Sequence, residues 1–175
     1  PVPLGAYLVQ VQMQSLGAAP ITEGALDQAL KGVVLRSDVR EQLGAALNSR
    51  RAVMLYGQPG AGKSYLCHKL AGVMSGHVAV PHAIEVGGEI IRMFDPLVHH
   101  PVAAVSRGPA NPLDVRARSD DRWVLCRRPV VITGGELTLD MLDLVYDARA
   151  GYYQAPPHFK ANNGLFLVDD LGRQL

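Results

Sequence analysis

The segment Gly57-Gln58-Pro59-Gly60-Ala61-Gly62-Lys63-Ser64 constrains this chain more than any other feature of it. It satisfies the pattern G-x-x-x-x-G-K-[ST], and its surroundings are those the pattern requires. Ala52-Val53-Met54-Leu55-Tyr56 before it has the composition of a buried parallel strand, and Ser64 to Met74 after it has a helical pattern. Glycines at 57, 60 and 62 allow the backbone to curl so that its N–H groups point inward, where the helix N-terminus adds partial positive charge for phosphate oxygens. The spacing therefore predicts a phosphate cradle built from Gly57, Gln58, Pro59, Gly60, Ala61, Gly62, Lys63, Ser64 and Tyr65. Lys63 is placed to reach the β and γ phosphates. The Ser64 hydroxyl is placed to ligate Mg²⁺.

A second apolar run, Leu165-Phe166-Leu167-Val168, leads into Asp169-Asp170. Its acidic end lies where a parallel strand presents a site, so Asp169 is expected to hold the same Mg²⁺, directly or through water. Asp170 is expected to polarise the attacking water, the competing role being that of a solvated neighbour. The whole is an α/β expectation: a three-layer P-loop sheet with helices on both faces and a β-hairpin-rich insertion at about 77–157, preceded by a lead-in segment over 1–36.

Composition agrees with one folded domain. The chain has 175 residues, 48% of them hydrophobic and 19% charged, which is globular rather than disordered. Lys and Arg (17) nearly balance Asp and Glu (16), so no overall field steers the chain toward nucleic acid or an anionic membrane, and any anion site must be local. The uncharged stretch before Glu23 is broken by Gln10, Gln12, Gln14, Gly17 and Pro20, so no spanning helix or membrane insertion is expected. Cys67 and Cys126 are too few for a disulfide framework and read as reduced thiols in a cytoplasmic protein.

Periodicity predicts helices around Tyr7 to Leu16, around Thr22 to Lys31, and from Ser37 or Asp38 to about Ser49. In the last, Asp38 and Glu41 have capping-box spacing, and Val39, Leu43 and Leu47 form one stripe. Gly87-Gly88 predicts a hairpin between AIEV and EIIRMF, and DARAG a second between LVY and YYQ. WVLC and VVIT read as one strand interrupted by a bend at Arg127-Arg128-Pro129, and 106–121 as an exposed loop.

Through GQPGAGKS, the long helix before it, and ANNGLFLVDDLGRQ, the sequence resembles the AAA+ branch of P-loop ATPases, in particular the MoxR-like and enhancer-binding groups. The two segments look like Walker A and Walker B. The resemblance implies Mg-ATP hydrolysis in a homo-oligomeric ring, usually a hexamer, that remodels a protein or nucleic-acid partner. It departs from the family at Asp169-Asp170, where Asp-Glu is usual. The chain also stops soon after this pair, with no positions matching a sensor strand, arginine finger or helical lid, so it reads as a fragment. Two rival readings are a nucleotide-dependent assembly module without turnover and a P-loop small-molecule kinase.

Weaker groupings are assigned structural roles. The arginines at 107, 116, 118, 122, 127 and 128 near Trp123 are interleaved with aspartates and read as a solvated loop crossed by ion pairs. The histidines at 77, 82, 99 and 100 lack the pattern of a zinc site. Cys67 reads as a buried, inert thiol, and Tyr56, Tyr152 and Tyr153 as aromatics packed on the sheet. Asn162 and Asn163 are expected to set the turn before the second apolar strand.

Overall fold

The computed structural model describes residues 1–15, 20–49, 51–102 and 120–170. Three helices gather around one apolar cluster: α2 (Glu23–Ala29), α3 (Ser37–Asn48) and α4 (Lys63–Ala71), following α1 (Leu4–Met13). Leu26 and Leu30, Leu43, and Leu70 and Val73 are buried together, with Val39 and Leu47 packed at the margin, as the spacing along α3 requires. Thr22 caps α2 by accepting the Ala25 N–H at 3.2 Å. The expected cap on α3 is not made. Its N-cap is Arg36, which makes no side-chain cap, and the Asp38 carboxylate is engaged chiefly by the Arg36 guanidinium, with lesser main-chain contributions from Asp38 and Val39. A two-pronged charge-assisted contact outcompetes a neutral N–H for the same oxygens.

The strands fall into three groups among the described residues. The largest is a five-stranded mixed sheet in the order β1 (Val2–Pro3), β3 (Ala83–Val86), β4 (Glu89–Arg92), β8 (Tyr152–Gln154), β7 (Val145–Asp147). Both expected hairpins are present in it, β3–β4 and β7–β8. Gly87 and Gly88, at φ 61° and 87°, supply the two left-handed positions of the tight turn. Ile84 and Ile91 face each other across β3 and β4 and are buried with Met93 and Ala155, and Tyr7 of α1 packs against them. Residues 1–36 thus divide: Val2 and Tyr7 belong to this sheet, and Leu26 and Leu30 to the helical cluster.

The second group is the antiparallel pair β2 (His77–Pro81) and β5 (Trp123–Arg127), closed by Val78, Val80 and Cys126. The third is the parallel pair β6 (Val130–Thr133) and β9 (Leu165–Val168). WVLC and VVIT are therefore not one bent strand. They pair with different partners, because Pro129 between them has no N–H to continue a ladder. The run at 52–56 also departs from expectation, forming no strand. Only Leu55 reaches the helical cluster, while Met54 and Tyr56 are 73% and 88% exposed. An apolar run becomes a strand only where a neighbouring edge receives its N–H and C=O groups, and no described strand pairs with this run. No helix among the described residues is long and apolar enough to cross a membrane. The expected loop at 106–121 falls almost wholly outside the described residues, which resume at 120.

Candidate phosphate and metal site

The glycine loop takes the turns its sequence implies. Gly60 and Gly62 stand at φ 78° and 79°, a region that penalises any side chain, and Gly62 is the N-cap from which α4 begins. The Ala61 N–H donates to the Gln58 carbonyl at 3.2 Å, closing the turn over Pro59. Lys63 opens α4 and folds back across the loop, its Nζ donating to the carbonyls of Gly57 and Gln58, each at 3.0 Å. Tyr65, 55% exposed on the first turn of α4, has the Lys69 ammonium 5.5 Å from its ring centre. Tyr56 is exposed beside the loop rather than packed on a sheet, whereas Tyr153 does pack in the five-stranded sheet.

On the other side of the site, β9 carries its ladder one step beyond Val168, where the Asp169 N–H donates to the Thr133 carbonyl at 2.8 Å. This fixes the Asp169 main chain and turns its carboxylate toward α4. The Ser64 hydroxyl donates to Asp169 Oδ1 at 3.0 Å, joining residues 105 positions apart. The same oxygen accepts the Asp170 N–H at 3.0 Å, with Asp170 itself in the left-handed region at φ 55°. Ser64 and Asp169 are therefore brought together, Lys63 lies over the loop, and Asp170 follows at the exposed rim.

The donor set fits magnesium. Neighbouring oxygens on an octahedral ion with ligands at about 2.0–2.1 Å stand about 2.9 Å apart. Ser64 Oγ and Asp169 Oδ1, 3.0 Å apart in their hydrogen bond, offer one hydroxyl and one carboxylate oxygen, both of the kinds magnesium takes. No group of three or more His, Cys, Asp or Glu side chains gathers among the described residues.

Cys67 lies one turn along α4 from Ser64. Burial pushes its thiol pKa up, and the Asp169 carboxylate pushes it further. Asp169→Asn removes the second contribution only, so the Cys67 pKa should fall, the thiolate fraction at a given pH should rise, and alkylation by iodoacetamide should quicken. Cys126 is fully buried with its thiol pushed up to about 11, so it stays silent in that measurement. An unchanged alkylation rate across pH 7 to 9 would place the Asp169 charge elsewhere.

The arginines divide in the structure. Arg107, Arg116 and Arg118 lie outside the described residues. Arg122 grips Asp120 with Nε and Nη2, at distances from 2.7 to 3.1 Å, and holds that carboxyl down at about 2. Arg128 is unlike the rest, a half-buried guanidinium bonded to three main-chain carbonyls. Its charged sequence neighbours suggest a solvated loop; its position beside Pro129, between two apolar runs, is the signal that points the other way. Asn163 takes the positive φ of 61° at the turn before β9, as expected of that turn, while Asn162 donates to the Tyr7 hydroxyl at 2.7 Å. His99 is buried, its Nδ1 accepting the Asp95 N–H at 2.9 Å and its Nε2 at 2.9 Å from the Lys160 carbonyl.

No family model matches the chain, and no curated protein matches it.

Proposed function

We propose that this chain binds Mg-ATP and hydrolyses it as an AAA+ type ATPase, with the energy coupled to remodelling of a protein or nucleic-acid partner. The observation that carries the reading is the Ser64–Asp169 hydrogen bond, which sets the hydroxyl after the glycine loop against the carboxylate at the end of β9. The inferred frame is a three-layer P-loop sheet. The parallel β6–β9 ladder, ending on Asp169, and the loop running into α4 support it. In this reading the N–H groups of the loop cradle the phosphates and Lys63 exchanges its two loop carbonyls for phosphate oxygens. Ser64 and Asp169 hold the metal, which when bound neutralises charge on the β and γ phosphates. Asp170 orients the water.

Phosphate release from Mg-ATP, measured beside binding of the fluorescent analogue mant-ATP, tests the reading. Asp170→Asn should slow release by about 10²-fold or more, the scale of a lost general base, while the variant still captures mant-ATP. Release at the wild-type rate removes Asp170 from the chemistry. A wild-type chain that captures mant-ATP without releasing phosphate is a binding module, and one that does neither has no nucleotide site.

A further inference from the structure

Arg128 stands at the far end of the elements that carry the proposed metal pair. Its Nε donates to the Ser75 carbonyl at 3.0 Å, four residues past the end of α4, and its own N–H donates to the Gly76 carbonyl at 3.3 Å. Nη1 donates to the Asn163 carbonyl at 2.6 Å, just before β9, and Nη2 to the Gln14 carbonyl at 3.0 Å. The Gln14 side chain in turn bonds both main-chain groups of Ala79 in β2, at 2.9 and 3.0 Å. One planar group thus joins the exit of α4, the start of β9 and, through Gln14, the β2–β5 pair.

The two site residues lie at the opposite ends of the elements so joined. Ser64 is at the N-terminal end of α4, and Asp169 closes β9. Residues 72–75 are tied back to the helix by the Val73 and Met74 N–H bonds to Leu70 and Ala71; from Ala71 to Ser64 the helix runs roughly 10 Å at about 1.5 Å per residue, and from Leu165 to Asp169 the strand runs roughly 13 Å at about 3.3 Å per residue. Two stiff elements held together at one end meet at the other with a separation set by the angle between them, so a small rotation at the anchor becomes a larger displacement at the Ser64–Asp169 pair. A guanidinium is well suited to such an anchor, because it presents five donors in a fixed fork, whereas an ammonium would bond the same carbonyls without fixing their directions.

We propose that Arg128 is the positioning residue that holds Ser64 and Asp169 at the spacing a magnesium ion requires. The inference rests on the Mg-ATP reading above. It assigns Arg128 no contact with nucleotide or metal.

Mant-ATP affinity of the chain, measured in EDTA and again in a magnesium titration, gives the factor by which the metal tightens nucleotide binding. A positioning role predicts that Arg128→Gln shrinks this factor by about threefold to tenfold, the scale of coupling carried through packed elements to a distant site, with Arg128→Lys falling between Gln and wild type. Equal weakening in EDTA and in magnesium marks a general structural loss and overturns the proposal, as does an undiminished magnesium factor in a folded Arg128→Gln chain. Should Arg128→Gln fail to give a cooperative thermal transition, Arg128→Lys decides alone: a wild-type magnesium factor overturns the proposal, and a reduced one supports it. A wild-type chain showing no magnesium factor at all defeats the Mg-ATP reading itself, an outcome distinct from either result for Arg128.

Discussion

Lys63→Ala is expected to lower phosphate release from Mg-ATP by about 10²–10³-fold, the loss found when one preorganised donor is taken from a developing anionic charge. In the structure the Lys63 ammonium donates to the carbonyls of Gly57 and Gln58. Neither bond is buried, so water replaces the ammonium in the variant and thermal stability should stay within about 0.5 kcal/mol of wild type. The loss falls on the bound state instead. Phosphate oxygens would draw the ammonium off two neutral acceptors into charge-assisted bonds, and alanine leaves that charge to the loop N–H groups and the metal, without the ammonium. Lys63→Arg should not restore the rate, because a planar fork cannot replace a compact ammonium folded over a loop this tight. A variant that keeps both the melting temperature and the rate of phosphate release would show that Lys63 does no more than staple the loop.

What the sequence made legible and what it hid separate along a physical line. The glycine loop, the start of α4 and both hairpins depend on residues adjacent in the chain: positive-φ glycines at 60 and 62, and the Gly87-Gly88 pair. Such local geometry is written in local residue types. That Ser64 and Asp169 meet was also legible, since one opens a helical segment and the other closes an apolar strand, and the motif that marks the first calls for an acidic strand end beside it. Pairing partners were not. Ala52 to Tyr56 has the residue types of a buried strand and yet lies without a ladder, while WVLC and VVIT, close in sequence, pair with β2 and β9 respectively. Strand preference reports a fit to neighbours, and neighbours are a non-local fact. The same holds for Asp38, whose spacing to Glu41 suggests a cap although Arg36 takes the carboxylate, and for Arg128, whose three acceptors come from three separate segments.

Gly164→Ala should be the most damaging glycine-to-alanine change among the described residues. A Cβ at Gly164 would stand 1.9 Å from the Pro129 carbonyl oxygen, and 2.9 Å from both its carbon and the proline Cδ. None of these atoms is the free end of a flexible side chain. The oxygen is also engaged, accepting the Leu165 N–H at 2.9 Å, the bond that begins the β6–β9 register. Relief therefore requires the two strands to separate where they first meet, beside the Arg128–Asn163 bond and at the start of the strand that leads to Asp169. Overpacking that backbone must absorb is expected to cost about 3 kcal/mol or more. For a chain of this length that lowers the melting temperature by about 10 °C. Gly24→Ala supplies the contrast: it lies in α2 with nothing within 4 Å of the added methyl, so the helix should gain a few tenths of a kcal/mol to about 1 kcal/mol. Thermal melts of the two variants followed by circular dichroism separate the cases, and a Gly164→Ala transition within about 2 °C of wild type would mean that the Pro129 peptide yields without opening the ladder.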